Sequence, residues 1–118
     1  MTTTFCDSTD VKLKAGAQVS TAITDAQYTA MINDAENFIN NAVRIDLLAG
    51  YSGYSNNAKL LLRDTAAAKA AMTAIAYDQS GYFVSEAQTL LNVNYTILSD
   101  NMRLLTKKDT TDWMTKLT

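Results

Sequence analysis

The chain has 118 residues, of which 47% are hydrophobic, with four glycines and no proline. This length supports one domain with an ordinary core, and so few helix-breaking residues predict a mostly helical protein. The formal net charge of −2 argues against a protein that works mainly by neutralising nucleic-acid phosphate. Because histidine, the commonest general base and metal ligand, is absent, we expect no enzyme activity, no metal and no cofactor.

We also expect neither an internal disulfide nor a membrane-spanning helix. The single cysteine cannot form an internal disulfide, and the N-terminal residues lack the pattern of a secretory signal. No apolar run approaches the ~18 residues that a membrane-spanning helix needs, so we expect no membrane partner.

The first part of the chain predicts a polar arm and two helices. Residues 1–8 form the arm, which we expect to be loose unless a partner docks it. Ser8, Thr9 or Asp10 caps a short first helix that Gly16 ends. Thr24 or Asp25 opens the second helix, and its apolar residues recur at three- and four-residue spacing through five turns. The predicted apolar face comprises Tyr28, Met31, Ile32, Ala35, Phe38, Ile39, Ala42 and Val43, and the polar face comprises Asn33, Glu36, Asn37, Asn40, Asn41 and Arg44.

The carboxylates of this region carry no catalytic signal. Asp34 and Glu36 form a possible pair, but nothing in the sequence places them in an apolar pocket, so we interpret both as solvated charges. A glycine- and asparagine-rich loop follows between positions 47 and 57 and carries Tyr51 and Tyr54. These tyrosines either cover the core or contact a neighbouring subunit or a tail-side component, since tyrosine is favoured at interfaces.

An alanine-rich third helix is predicted over residues 55–79, and its slim surface allows close packing of its neighbours. Its predicted inward line is Leu61, Thr65, Ala68, Met72 and Ile75, and its outer line is Lys59, Arg63, Ala66, Ala70, Thr73 and Tyr77. The outer alanines are either good helix formers on a solvent-exposed surface or, with Tyr77, a patch on which another subunit packs.

The fourth helix, predicted over residues 85–105, has the widest apolar arc, about 200°. Ser85 and Gln88 have the spacing of a capping box. The main apolar face consists of Ala87, Leu90, Leu91, Leu98, Met102 and Leu105, and Val93, Ile97 and Leu104 extend it sideways. Such a helix must be covered from two directions, either by its own bundle or partly by a second chain. Asn94 and Asn101 lie within the arc, as satisfied core residues or as residues that fix the register of a partner helix.

The C-terminal tail, residues 107–118, contains the only tryptophan of the chain. Trp113, Met114 and Leu117 follow one another at helical spacing. The tail either folds back onto the bundle or serves as an arm whose aromatic anchor fills a pocket on a partner.

The order of these segments resembles the small head–tail adaptor proteins (head-completion or connector proteins) of tailed bacteriophages. The resemblance covers residues 9–106 and lies in the pattern of segments and small residues. It is carried by Ala15-Gly16, Thr24-Asp25, Ala35-Glu36, Ile39-Asn40, the run Ala76-Tyr77-Asp78-Gln79-Ser80-Gly81-Tyr82, and Ser85-Glu86-Ala87. It implies an all-helical subunit of a virion ring, commonly a dodecamer, that is assembled in the bacterial cytoplasm. Such a ring lies between the portal protein and a tail component (nozzle or neck protein), and DNA passes through its lumen without specific binding.

Together these observations predict an all-α fold, a small antiparallel bundle of about four helices over residues 9–106 with an N-terminal arm and a C-terminal tail. The expected function is that of a structural adaptor ring subunit, and the alternative is a monomeric helical protein-binding module that acts in regulation or as an assembly chaperone. The expected portal interface comprises Trp113, Met114, Lys116 and Leu117, and the expected subunit interface comprises Ala66, Ala70, Tyr77, Val93, Ile97 and Leu104.

Overall fold

Four helices joined by short connections form the structure, a computed structural model that describes residues 4–16, 19, 22–44, 46–77 and 84–106, with the backbone alone at 84–86. The helices are α1 (Ser8–Ala15), α2 (Asp25–Val43), α3 (Asn56–Tyr77) and α4 (Val84–Leu105), and one 3-10 turn spans Tyr51–Gly53. No strand occurs within these ranges. The prediction of an all-α, small antiparallel bundle of about four helices is therefore confirmed.

Helix α3 occupies the centre of the bundle and packs against α1, α2 and α4. Its alanines present little bulk, which lets three neighbouring helices approach its axis. Ala66 and Ala70, predicted on the outer line of this helix, are fully buried inside the chain's own core. They cannot contact a neighbouring subunit, so their assignment to the subunit interface was wrong. The sequence pattern suggested one buried side for α3, whereas its contacts with three helices bury most of its circumference.

Side chains just outside the first two helices cap their N-terminal turns. Asp7 caps α1: its carboxylate accepts a hydrogen bond from the Asp10 N–H at 3.1 Å, and the Asp10 carboxylate accepts from the Asp7 N–H at 3.1 Å. The cap therefore lies one residue before the predicted candidates, because an aspartate three residues later completes the reciprocal pair. Thr24 caps α2 as predicted, paired with Gln27.

Gly16 ends α1, as predicted, with a φ of 90°. This backbone conformation favours glycine because a side chain would clash with the backbone. A Cβ atom at this position would also lie 3.1 Å from Leu90 Cδ1, which shows how closely the end of α1 approaches α4.

The N-terminal arm is docked where the structure describes it. Phe5 and Cys6 are buried, and Glu36 of α2 is only 2% exposed. The Glu36 Oε2 atom accepts hydrogen bonds from the backbone N–H of Thr4 at 2.8 Å and of Phe5 at 2.6 Å. The expectations of a loose arm and of a solvated Glu36 were therefore both wrong over these residues, because the carboxylate binds the buried amide of Phe5 and the part-buried amide of Thr4. Asp34 is exposed, as predicted.

The two loop tyrosines cover the core. Tyr54 is 7% exposed, and the half-buried Tyr51 ring lies with its centroid 5.6 Å from that of Phe5 and 6.2 Å from that of Tyr54. Lys59 Nζ lies 5.3 Å from the centroid of the Tyr51 ring. The interpretation as lids is confirmed. The other interpretation, a contact with a neighbour or a tail component, is wrong for Tyr54, whose side chain is already enclosed.

Helix α4 packs through the main face that the sequence predicts. Ala87, Leu98 and Leu105 are buried, and Leu90, Leu91 and Met102 pack partly buried against the core. Asn94 is 1% exposed, and its Nδ2 atom donates hydrogen bonds to the carbonyl oxygen of Lys14 at 3.1 Å and to that of Leu90 at 3.0 Å. Asn94 is thus a satisfied core residue that ties α4 to the end of α1. The predicted Ser85 cap lies outside the described side chains.

Candidate docking surface

One side of α4 remains uncovered by the bundle. Val93 is 50% exposed, Leu104 is 43% exposed, and Ile97 is half-buried. At about 100° per residue, these three side chains lie within about 40° of one another around the helix. We call them the aliphatic flank. They are the residues that the sequence placed sideways of the main apolar face, and they remain accessible to another molecule.

The aliphatic flank lies beside a shallow depression of about 360 Å³ on α4. The depression is lined by Thr89, Asn92, Val93, Thr96 and Ile97. Along this side of the helix, positions 93, 97, 100 and 104 follow the alternating four- and three-residue spacing of a coiled-coil seam. The exposed Asp100 occupies one position of that seam. This arrangement of an apolar line with a polar border suits a protein helix more than a small polar ligand.

A second set of accessible side chains lies on α2, α3 and the other side of α4. Tyr95 of α4 is 59% exposed and Phe38 of α2 is 41% exposed. Lys69 of α3 places its Nζ atom 5.2 Å from the centroid of the Phe38 ring. We call Phe38, Lys69 and Tyr95 the aromatic flank. Sequence reasoning placed Phe38 on the buried face of the second helix and did not select Tyr95, because the latter is an isolated aromatic residue outside the main apolar arc.

The remaining predicted interface residues have mixed outcomes. Tyr77 is 48% exposed at the end of α3 and stays available for contact with another chain. The predicted portal-binding residues Trp113, Met114, Lys116 and Leu117 lie outside the described residues. Leu13 of α1 is 76% exposed, the highest value among the large hydrophobic side chains that the structure describes, and the sequence reasoning missed it. Helical spacing could have found it, because Leu13 lies about 200° around the helix from the buried residues Val11 and Ala15.

The described side chains include no cluster that could hold a metal ion. No group of three or more candidate metal ligands occurs within these parts of the chain. In the cleft between α1 and α3, Lys14 and Arg63 both approach Asp64, at 3.9 Å and 3.6 Å, and their charges are therefore already paired. Burial, followed by the charges of Asp10 and Glu36, raises the pKa of the Cys6 thiol to about 12, so the thiolate needed for nucleophilic chemistry is suppressed.

Within the described residues, none of the helices has the length and apolar character needed to span a membrane. No protein family, curated protein or solved structure matches the chain. The candidate surface is therefore interpreted from its own residues and geometry.

Proposed function

We propose that the chain is a structural virion protein, a subunit of the adaptor ring that joins the portal of a tailed bacteriophage to its tail and continues the DNA channel. The observation that carries this proposal is the aliphatic flank, an apolar line that the chain's own bundle leaves uncovered. The order of segments, which resembles the head–tail adaptor family, adds the specific setting.

The aliphatic flank supports self-association energetically. Full burial of an aliphatic side chain contributes about 1.5–3 kcal/mol. Val93 and Leu104 still have roughly half of that burial to gain, and Ile97 has less. Burying the flank therefore contributes a few kcal/mol per contact, which is too little to hold two subunits together by itself. A stable interface buries about 800 Å² on each partner, so the flank would form the centre of a larger contact. In a ring each subunit makes this contact twice, once with each neighbour.

The proposed partners are the portal protein, neighbouring copies of this chain and a tail component (nozzle or neck protein). The tail, through Trp113, Met114, Lys116 and Leu117, is proposed to bind the portal. A chain with a net charge of −2 suits a channel through which DNA passes without specific binding. Assembly would take place in the host bacterial cytoplasm.

The second candidate is a monomeric binding module that holds a helix of one partner, in regulation or as an assembly chaperone. The depression beside Val93 and Ile97 favours it, because a groove of this shape can accept the apolar face of a helix. The two candidates differ in stoichiometry: an adaptor forms many copies on one coaxial platform, and a binding module occupies its partner one to one.

Negative-stain imaging of the full chain with portal rings from its own phage tests the proposal. We expect a stacked ring, loss of that ring when the flank is interrupted by Val93→Asp, and an intact ring with the control Asn37→Asp, which changes an exposed residue of α2. Truncation before Lys108 is expected to abolish association with the portal. One copy bound per partner, or no ring on the portal, would refute the adaptor function, and a truncated chain that still associates would reject the role of the tail.

A further inference from the structure

We propose that the aliphatic flank of one copy packs against the aromatic flank of the next copy, with Asp100 of the first facing Lys69 of the second. This inference rests on the proposed function, because it names the surface that the neighbouring copy offers to the aliphatic flank. The occupant is a second copy of this chain, and the contact joins two different surfaces.

The first step is the direction of the two flanks. Residues 93 and 95 are separated by about 200° around α4, which places Val93 and Tyr95 on opposite sides of the helix. The buried residues Ala87, Asn94 and Leu98 lie between them. A twofold dimer needs only one self-complementary patch, whereas a ring needs two different patches that face away from each other. Helix α4 carries the aliphatic flank on one side and Tyr95 of the aromatic flank on the other.

The second step is the side of the bundle on which Lys69 and Tyr95 lie. Lys69 lies about 160° around α3 from Ala67, which lines the cleft between α1 and α3. Tyr95 lies about 100° around α4 from Asn94, which is hydrogen-bonded to α1. Both side chains are therefore directed away from α1, toward the side of α3 that α2 and α4 border. Phe38 belongs to this side as well, because Lys69 lies over its ring.

The third step is charge. Asp100 is exposed within the apolar seam between Ile97 and Leu104, and among the described residues it forms no ion pair. Covering the seam would desolvate this carboxylate, and the contact is favourable only if the covering surface supplies a cation. Lys69 meets this requirement: its Nζ atom lies 5.2 Å from the centroid of the Phe38 ring, and it forms no ion pair among the described residues. The two flanks are thus both apolar at their centres and opposite in charge.

Charge reversal distinguishes this contact from one in which the aliphatic flank packs against the aliphatic flank of another copy. The Asp100→Lys variant would place a second ammonium group against Lys69, and the Lys69→Glu variant would place a second carboxylate against Asp100. Each variant alone is therefore expected to associate about tenfold more weakly than the wild type. A mixture of the two variants again allows contacts in which opposite charges face each other, and it is expected to recover association.

Sedimentation velocity of the full chain measures this association, with circular dichroism to verify that each variant is folded. Asp34→Lys, a reversal at an exposed site on α2, is the matched control and is expected to leave association unchanged.

Disulfide trapping tests the same contact independently of its strength. In a Cys6→Ala background, an Ile97→Cys chain mixed with a Tyr95→Cys chain is expected to form crosslinked mixed dimers, and either chain alone is expected to form few.

Association that is insensitive to both charge reversals, or crosslinking of either chain alone equal to that of the mixture, would overturn the inference and leave the proposed ring standing. Wild-type chains that associate neither free nor on the portal would refute the proposed function, and the inference would fall with it.

Discussion

Replacing Glu36 by alanine is expected to detach the N-terminal arm from α2 and to lower the free energy of unfolding by about 2–5 kcal/mol. The Glu36 carboxylate is 2% exposed and accepts the N–H groups of Thr4 at 2.8 Å and Phe5 at 2.6 Å. Without this acceptor, the buried N–H of Phe5 costs about 1–3 kcal/mol if the arm stays in place, and the part-buried N–H of Thr4 costs less. If the arm leaves, the burial of the Phe5 ring, about 1.5–3 kcal/mol, is lost instead.

The lower end of the range expected for Glu36→Ala takes account of the desolvation of the Glu36 carboxylate. A buried carboxylate loses its hydration in the folded wild type, and its removal offsets part of the lost hydrogen bonding. The matched control is Asp34→Ala, an exposed carboxylate two residues earlier on the same helix, whose removal is expected to change the stability by no more than about 0.5 kcal/mol. Urea unfolding followed by far-ultraviolet circular dichroism gives both values from the same extrapolation.

A double-mutant cycle identifies the cause. Because Glu36 and Phe5 hold the same segment, the combined Glu36→Ala and Phe5→Ala chain is expected to lose less stability than the two single losses added together, by at least about 1 kcal/mol. A thiol reagent should also label Cys6 faster in Glu36→Ala, since the arm that buries it is released. Refutation would consist of a Glu36→Ala loss equal to that of Asp34→Ala, or of strictly additive losses from Glu36 and Phe5.

Three other predictions concern buried polar groups. The Tyr28 hydroxyl is buried and has no hydrogen-bond partner among the described residues, so Tyr28→Phe should keep or raise the free energy of unfolding, and a loss above about 1 kcal/mol would contradict this. Asn94→Ala removes two hydrogen bonds donated by its Nδ2 atom, one to the Lys14 carbonyl of α1 and one to the Leu90 carbonyl within α4, and should cost about 2–3 kcal/mol in urea unfolding, whereas the exposed control Asn92→Ala should cost less than about 0.5 kcal/mol. Burial raises the folded pKa of Cys6 to about 12 from its ordinary value of 9.0, so its contribution to stability is complete below pH 9 and is lost as the pH rises toward 12. The stability of the wild type relative to Cys6→Ala should therefore fall across that pH window, and a constant difference would refute the shift.

The sequence predicted the helical elements well because local signals determine them. The apolar spacing of α2 and its Thr24 cap lie within the segment itself, and so do the glycine that ends α1 and the absence of proline. The sideways apolar line of α4 was also readable, since the positions of Val93 and Ile97 on a helix follow from their spacing alone. These features need no information about the neighbouring elements.

Burial on α3 could not be read from the sequence in the same way. An alanine is equally suited to a solvent-exposed helix surface and to a close contact between helices, so the identity of Ala66 and Ala70 is compatible with either. The number of helices around α3 decides the outcome, and that number is a property of the assembled bundle. The same holds for Phe38, whose position on α2 is apolar by spacing but which the bundle leaves 41% exposed.

The sequence by itself thus determined the helices, their caps and the surplus apolar line on α4, because each depends on residues a few positions apart. Only the tertiary structure decided that Glu36 is buried, since its partners are backbone amides more than 30 residues away that carry no side-chain signal. It also decided which residues of α3 are enclosed, and it placed Lys69 beside Phe38. These outcomes depend on contacts between residues that are far apart in the sequence, and such contacts cannot be predicted from local periodicity.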